Sequence, residues 1–323
     1  MRRVDVLSDV IAIVRTGSPR AARVEWHAPW GQRFPSAPGA AGFQVILQGS
    51  CWLIPASGDP VELGTGDVVF FPHGHGYGLA DTPSTPLAEP ACDPLEETGL
   101  LAAASVGRPR DGGVTVTTVT LCGGYRLDPD RAHPLLRHLP EVIHLPARLG
   151  ERSELRAAVG LLGGEIATPG LGADTIVPAL LDLLLLYGLR SWFDGRPAQE
   201  EMTGWAAALA DPVVRAALDA VHGDPAHPWT VRELGARGGL SRAAFSRRFT
   251  ALVGRPPLAY LTWWRMTTAA RLLRESDAQL GEVAARVGYG SEFAFAGAFK
   301  RAYGTAPGRY RSRARAVPGV SGR

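Results

Sequence analysis

Short apolar runs separated by turn residues predict β-strands in the first part of the chain. Residues 42–54 contain two such runs, and residues 61–72 read as a strand, a glycine-containing turn and a second strand. Residues 114–122 alternate β-branched and other positions, which favours another strand. The proline- and glycine-rich stretch from Pro72 to Pro94 predicts a long loop. Residues 1–140 are therefore expected to form a small sandwich or barrel.

Apolar positions change to helical spacing at about residue 150. Residues 151–166 and 174–193 predict two helices, and Asp174 is placed to cap the second. The run from Leu180 to Leu189 is apolar on most sides, so it must be buried. It packs either on the β domain or in a dimer interface, and we favour a contribution to dimerisation because it lies between two domains.

Composition indicates a globular protein of a reducing compartment. The 323 residues are 46% apolar and 20% charged, and three cysteines do not suit a disulfide scaffold. Asp5, Asp9 and Arg15 interrupt the N-terminal apolar run, which therefore does not resemble a signal peptide. The apolar run near residue 180 contains Asp182 and is about half the length of a membrane span. We expect a cytoplasmic protein without a membrane partner.

The charge is distributed unevenly. Residues 208–323 contain 18 Lys+Arg and 8 Asp+Glu, a net of +10, out of totals of 34 and 31. The remaining residues therefore hold 16 basic and 23 acidic side chains, a net of −7. A basic C-terminal third is typical of a nucleic-acid-binding domain.

An internal repeat lies in this basic region. At an offset of 49 residues, Glu233, Ala236, Arg237 and Gly239 match Glu282, Ala285, Arg286 and Gly288. At an offset of 50, seven more positions match: Ser241, Ala244, Phe245, Phe249, Gly254, Pro257 and Tyr260 with Ser291, Ala294, Phe295, Phe299, Gly304, Pro307 and Tyr310. Eleven matches in about thirty positions indicate two copies of one supersecondary unit.

Each copy predicts two helices joined by a tight glycine turn. In the first copy Thr230 and Glu233 form a capping-box pattern, Gly238 to Leu240 make the turn, and Ser241 caps the second helix. This is the pattern of a helix-turn-helix. A long amphipathic helix at 256–276, with prolines in its first turn, would hold the two units at a fixed separation.

A helical wheel of the first copy's second helix separates a core face from a reading face. Phe245, Phe249 and Leu252 form the core face. The opposite face presents the candidates for base contact, which are Arg242, Ala243, Ser246 and Arg247. Arg can bond guanine O6 and N7, and Ala can contact a thymine methyl group.

The second copy presents a different surface. Its candidates for base contact are Glu292, Phe293, Ala296 and Gly297. Gly297 occupies the position of Arg247, so we expect the first copy to make most base-specific contacts and the second mainly phosphate contacts. The candidates for phosphate contact in both copies are Thr230, Ser241, Ser291, Lys300, Arg301, Arg309 and Arg311.

The C-terminal region resembles the AraC/XylS family of bacterial transcriptional regulators. The resemblance covers about residues 208–313 and is carried by VRELGARGGLSRAAFSRRFTALVGRPPLAYLTWWRM and GEVAARVGYGSEFAFAGAFKRAYGTAPGRYR. By position it implies base reading by Ala243, Ser246, Arg247, Glu292, Phe293 and Gly297. The family often has Arg or another polar residue at the last of these, so Gly297 departs from the pattern.

Residues 1–140 resemble the cupin-type sensor domain of one branch of these regulators. PWGQRFP, GSCWL, LGTGDVVFFPHG, LCGGYRLD and HPLLRHLPEVIHLP carry this resemblance. Enzymatic cupins hold a metal with paired His and Glu in a first motif and His in a second. Here the first motif offers Gln44, and Tyr77 stands at the second-motif His, so the metal set is not intact.

Four residues of this region are candidates for sensing. His73 and His75 could share a metal with Cys92 or Cys122, but no third ligand is clear, so a solvated pair of loop histidines is favoured. Cys122 is a candidate for redox or ligand chemistry or for packing alone. Trp30, with Trp26, would line a ligand pocket or fill the core. Cys51 is expected in the core.

The sequence predicts an α+β protein of two domains. Residues 1–145 form a cupin-like sensor, 146–207 a helical linker and dimerisation region, 208–313 the DNA-binding domain, and 314–323 a disordered tail. The predicted function is sequence-specific transcriptional regulation, without catalysis or cofactor. The expected partners are double-stranded DNA, a small-molecule, metal or redox effector, a second copy of the chain and, for an activator, RNA polymerase. A metal-dependent cupin enzyme fused to a DNA-binding module, and an architectural DNA binder, are the alternatives.

Overall fold

The computed structural model describes residues 6, 9, 15–89, 101–106, 117–127, 139–147, 153–195 and 204–316. These residues fall into two compact units. One unit holds the described residues between 15 and 195, and the other holds residues 6, 9 and 204–316. The architecture is α+β, as the sequence predicts.

In the described part of the first unit, ten strands form two sheets. The strands are β1 Arg15–Trp26, β2 Gly31–Phe34, β3 Ala40–Gln48, β4 Ser50–Pro55, β5 Val61–Gly64, β6 Val68–Phe71, β7 Tyr77–Ala80, β8 Leu101–Val106, β9 Thr118–Leu127 and β10 Ile143–Leu145. The larger sheet has the order β10-β6-β3-β9-β1-β8, and the smaller has β2-β7-β4-β5. The pairing of β1 with β8 is parallel, and the other paired strands are antiparallel.

The core of this unit lies between the two sheets. Val24 and Ile46 of the larger sheet belong to the same buried cluster as Leu53 and Leu79 of the smaller one. Period-two alternation along each strand places these side chains on the inner faces. Trp26 stacks on Trp30 within this core, with ring centroids 4.2 Å apart.

Two helices cover the outer face of the larger sheet, α1 at Ser153–Ala167 and α2 at Ala173–Asp194. The Tyr125 hydroxyl on β9 donates to the carbonyl of Leu181. Gly188 lies against the Phe70 ring, where a Cβ would clash. The helix α2 is twice as long as its apolar run and is, within the described residues, the one helix long and apolar enough by composition to cross a membrane. One face of α2 packs on β9 and β6, and Ile176 and Leu183 on the helix are exposed.

Several sequence expectations for this unit are wrong in detail. The stretch from Pro72 to Pro94 was expected to be a loop, but it contains the strand β7, which pairs with β2 and β4. The strands β1 and β8 have no clear signal in the sequence. Asp174 does not cap α2: the cap is Gly172, which has a φ of 88°, and Asp174 lies in the first turn. Residues 114–116 of the predicted strand lie outside the described residues.

The second unit is helical throughout its described length. Its helices are α3 Gly204–Ala210, α4 Pro212–Gly223, α5 Val231–Ala236, α6 Arg242–Val253, α7 Pro257–Glu275, α8 Leu280–Arg286, α9 Glu292–Tyr303 and α10 Pro307–Ala316. The pairs α5–α6 and α8–α9 are the two predicted helix-turn-helix units, and α7 is the predicted long helix between them. The helix α10 continues three residues into the predicted tail, and 317–323 lie outside the described residues.

Equivalent aromatic residues fill the core of each helix-turn-helix unit. Phe245 and Phe249 are fully buried on α6, and Phe295 and Phe299 are fully buried on α9. The third core residue of α6 is Val253, whereas Leu252, which was expected there, is half-buried. Val253 lies eight residues after Phe245, so it returns to the same side of the helix.

Candidate nucleic-acid interface and sensor interior

The start of α6 is fixed by local hydrogen bonds that the sequence predicts. Gly239 has a φ of 70°, a left-handed conformation that suits glycine. The Ser241 hydroxyl then accepts from the amide N–H of Ala244 at 3.3 Å. One helix earlier, Thr230 accepts from the amide of Glu233 at 3.1 Å, but the Glu233 carboxylate bonds His227 at 2.9 Å. The first half of the expected capping box is therefore present, and the carboxylate that would complete it has another partner.

The predicted reading face of α6 lies opposite its buried face. Arg242, Ala243 and Arg247 are exposed, and Ser246 is half-buried. The next residue, Arg248, is held by a buried carboxylate, since its Nε and Nη2 lie 2.5 Å from Oδ2 of Asp211. Of these two adjacent arginines on α6, Arg248 is tied to the protein and Arg247 projects into solvent.

Asp211 joins two helices, a role that sequence reasoning missed. Its Oδ1 accepts from the amides of Val213 and Val214 at 2.9 and 3.0 Å, which caps α4, while its Oδ2 holds Arg248 of α6. Burial acts to raise the pKa of Asp211, but the amide hydrogen bonds and the Arg248 charge outweigh it and lower that pKa. The sequence Asp-Pro at a helix start is the signal that could have identified this cap.

The second helix-turn-helix unit repeats the serine cap but not the reading face. Ser291 accepts from the amide of Ala294 at 3.2 Å, and Gly288 has a φ of 79°. Glu292 is exposed, and Phe293 is 90% exposed, a high value for a large apolar side chain. Ala296 and Gly297 are half-buried. The exposed face of α9 therefore presents an aromatic ring and a carboxylate, whereas the corresponding face of α6 in the first helix-turn-helix unit presents arginines.

The candidates for phosphate contact fall into three groups. The hydroxyls of Thr230, Ser241 and Ser291 are all engaged as helix caps. Lys300, Arg301 and Arg309 are exposed. Arg311 is half-buried, and its guanidinium donates to the carbonyl of Ala278, so it ties α10 to the segment before α8.

A buried histidine organises the core around α4 and α7. The His222 ring stacks on Trp264 with centroids 3.6 Å apart, and its Nε2 lies 2.7 Å from the Tyr260 hydroxyl. Its Nδ1 lies 3.3 Å from the carboxylate of Asp9. Burial is the main cause that raises the pKa of Tyr260, so this phenol stays protonated. Sequence reasoning did not single out this cluster.

In the cupin-like unit, Gln44 and Tyr77, which stand in the place of cupin metal ligands, are hydrogen-bonded to each other. The Gln44 side-chain amide donates to the Tyr77 hydroxyl at 2.9 Å, and the Tyr77 ring stacks on Phe71 at 3.7 Å. A carboxamide and a phenol of this kind do not fit the nitrogen and carboxylate ligands of a cupin metal. Throughout the described residues, no group of three or more His, Cys, Asp or Glu side chains is placed to hold a metal ion.

The predicted sensor residues lie in two places: Trp30 and Cys122 belong to one buried cluster, and His73 and His75 lie together after β6. His73 and His75 have ring centroids 5.6 Å apart, and His73 Nε2 lies 2.8 Å from the carbonyl of Leu139. Cys122 and Cys51 are buried, and Trp30 is buried against Trp26. Burial is the main cause that raises the pKa of the Cys51 thiol to about 12. Cys92 lies outside the described residues.

Comparison with known proteins gives one consistent family. Residues 5–194 match a cupin family model, and residues 234–313 match a helix-turn-helix domain model. A putative AraC-like transcription regulator from Streptomyces lividans is 34% identical over 310 residues, which are 95% of this chain and 98% of that protein. The transcriptional regulator AlkR of Acinetobacter baylyi is 27% identical over 316 residues, 95% and 99% of the two chains.

Among solved structures, the DNA-binding domain of AdpA in complex with a target DNA is 37% identical, with a TM-score of 0.32. The match covers 34% of this chain and 99% of that chain. The full-length similarity to the Streptomyces protein and the two domain matches agree with the architecture described above. The chain therefore belongs to the AraC-like transcription regulators, with a cupin domain ahead of a DNA-binding helix-turn-helix domain.

Proposed function

We propose that this regulator binds specific DNA sequences chiefly through α6. The observation that carries the proposal is the exposure of Arg247 and Ala243 opposite the buried Phe245 and Phe249. Arg247 offers the planar, bidentate donor that suits guanine, and the methyl group of Ala243 suits thymine. Because Asp211 holds the neighbouring Arg248, the orientation of α6 is set before DNA arrives.

The two helix-turn-helix units contribute unequally to this recognition. The exposed ring of Phe293 supplies apolar contact to a thymine methyl group, and Glu292 accepts from cytosine N4. Without an arginine at position 297, the second unit reads less of the sequence and supplies phosphate contacts through Lys300 and Arg301. Arg242, a further candidate for base contact, and Arg309, a further candidate for phosphate contact, are also exposed.

The cupin domain senses a small molecule through polar groups in the core between its two sheets. Trp30 Nε1, Gln32 Nε2 and Gln44 Oε1 are buried without a hydrogen-bond partner in the described structure. Each such atom costs about 1–3 kcal/mol unless a ligand or water satisfies it. Cys122 lies beside Gln44 in the register of β9 and β3, which makes this thiol the candidate for a redox response. His73 and His75 lie at the end of β6 and complete the proposed sensor residues.

Dimerisation through α1 and α2 completes the proposal. Leu161 on α1 is 63% exposed, and Ile176 and Leu183 lie one heptad apart on the open face of α2. A solvent-exposed row of this kind is typical of a helix–helix interface. The protein acts in the cytoplasm, where DNA is its partner, and contacts RNA polymerase if it activates transcription.

Selection of binding sites from random DNA by the full-length protein tests the function. The enriched motif is expected to contain one strongly specified half and one loose half, since only α6 presents an arginine to the bases. Specific sites should be bound at least about 10³-fold more tightly than random DNA at near-physiological salt. Binding without an enriched motif would overturn the proposal and favour an architectural role.

A further inference from the structure

Arg265, in the middle of α7, donates hydrogen bonds to three backbone carbonyls of one loop. Its Nε donates to the carbonyl of Pro225 at 2.7 Å, and its Nη2 donates to His227 at 2.8 Å and to Ala226 at 3.5 Å. Burial is the main cause that lowers the pKa of this guanidinium. Three acceptors from one loop orient the planar donor group, which a lysine cannot reproduce.

This loop leads directly into the first helix-turn-helix unit. Asp224 stabilises this loop with two hydrogen bonds. Its carboxylate accepts from the amide of His227 at 3.0 Å, and its carbonyl accepts from Trp229 Nε1 at 2.9 Å. His227 then bonds Glu233 of α5. Thr230, the cap of α5, follows at once, so the position of the loop determines where α5 begins.

The second helix-turn-helix unit touches the same loop and the same arginine. Gly288 forms the turn before α9 at a φ of 79°. A Cβ at this position would lie 2.6 Å from the carbonyl oxygen of Ala226 and 2.8 Å from Nη2 of Arg265. The turn of the second unit is thus packed against the entry loop of the first, with Arg265 between them.

We propose that Arg265 is a positioning residue that fixes the separation of α6 and α9 and so sets the spacing between the two DNA subsites. It bonds the loop that enters the first unit, stands on the helix that joins the units, and contacts the turn of the second. Recognition helices on one frame are expected to reach successive major grooves, about 34 Å apart, so a small change of this contact changes the preferred spacing. The inference rests on the proposed use of both units in DNA binding.

The test measures affinity against subsite spacing. The two halves of the selected motif are moved apart or together by one and two base pairs, and each single half is also measured alone. Wild-type protein is expected to prefer one spacing by about tenfold or more, because both units then bind at once from a rigid frame. Arg265→Met should flatten this profile while affinity for the single strong half is retained.

Arg271→Met is the matched control, because Arg271 lies on the same helix but pairs locally with Glu275. It should keep the wild-type profile. Gly288→Ala perturbs the same contact from the other side and should also flatten or shift the profile. If Arg265→Met does not fold, as judged by circular dichroism, the spacing profiles of Arg265→Lys and Gly288→Ala are measured instead. Both profiles are expected to be flattened or shifted.

The outcomes separate this inference from the proposed function. An unchanged spacing profile in the folded variants, or an equal loss at every spacing and on the single half, would overturn the positioning role and leave sequence-specific binding intact. A wild-type protein that shows no spacing preference overturns it as well. Absence of any selected motif contradicts the proposed function itself.

Discussion

At the scale of single residues, two adjacent arginines on α6 have different fates because one carboxylate lies beside them. Arg248 is neutralised by Asp211, and Arg247 is left for a ligand. A charge on a recognition helix is therefore informative only when its partners are known. The helical wheel predicted the direction of Arg247, but it could not predict Asp211, which lies 37 residues away and meets Arg248 only in the folded domain.

Arg247→Ala is expected to weaken binding to the selected motif by about 1–3 kcal/mol and to relax the preference at the base pairs it reads. Removal of a bidentate donor to a base edge abolishes discrimination at that position only. Binding measurements on the motif and on its single-base variants provide the check. Arg33→Ala, at an exposed arginine on β2 of the cupin domain, serves as the control. A variant with reduced affinity but unchanged base preference would show that Arg247 contacts phosphate.

The buried thiols make a second prediction at this scale. With its pKa raised to about 12, Cys51 stays protonated at neutral pH, and the thiol is a poor nucleophile. In the native protein at pH 8, Cys51 should resist a water-soluble thiol reagent, and it should react promptly in urea. Mass spectrometry of the labelled peptides measures this. Fast native labelling of Cys51 would contradict the closed core between the two sheets.

At the scale of helices and strands, local signals predicted some elements and long-range pairing produced others. The helix-turn-helix units have caps, turns and apolar spacing within a few residues, so their sequence was sufficient. The strand β8 is rich in alanine and β7 contains glycine, both poor strand formers. They become strands because β1, β2 and β4 offer them backbone partners that no local window contains. The same reason hid the contact between Gln44 and Tyr77, which are 33 residues apart.

The Asp211 cap makes a prediction about the stability of α4 and α6. Asp211→Ala removes two amide hydrogen bonds and the partner of Arg248, and should lower the free energy of unfolding by about 1–3 kcal/mol. Urea unfolding of the wild type, Asp211→Ala, Arg248→Ala and the double mutant measures the coupling between the two side chains. If the double mutant loses the sum of the two single losses, the ion pair contributes nothing.

The pH dependence of the same site has a definite sign. The pKa of Asp211 is lower in the folded protein than its unfolded value of about 3.9. The ionised carboxylate therefore contributes stability that is present above pH 4 and is lost as the pH falls through the lowered pKa. Asp211→Asn should remove this part of the acid-induced loss of stability. An identical acid unfolding curve would refute the assignment.

At the scale of the whole molecule, a basic DNA-binding region and a net acidic remainder coexist in one chain. The net charge of +3 conceals the +10 of residues 208–323. Binding to DNA should therefore weaken strongly with salt although the protein is nearly neutral overall. The exposed apolar row on α1 and α2 concerns the same scale, because a dimer would present four helix-turn-helix units rather than two.

Leu183→Glu is expected to convert the proposed dimer to a monomer, because it places a charge in the proposed helix–helix interface. Leu183 is 40% exposed, so the substitution leaves the core of the domain intact. Analytical ultracentrifugation of the two proteins measures the change. Val61→Glu is the matched control, since Val61 is an apolar residue of similar exposure on β5 of the smaller sheet, away from α1 and α2. If wild-type protein sediments as a monomer at micromolar concentration, the interface is wrong.

The two helix-turn-helix units keep their serine caps and phenylalanine cores alike but differ at the exposed positions that face away from those cores. Arg247 and Gly297 occupy equivalent places, and Arg247 is exposed to solvent. Substitutions of the exposed Arg247 are therefore expected to change the stability of the domain little. If α6 reads the bases as proposed, a regulator of this design can acquire new target genes through a few substitutions on one helix, and after a gene duplication the two descendants can diverge in their targets while the scaffold is inherited unchanged.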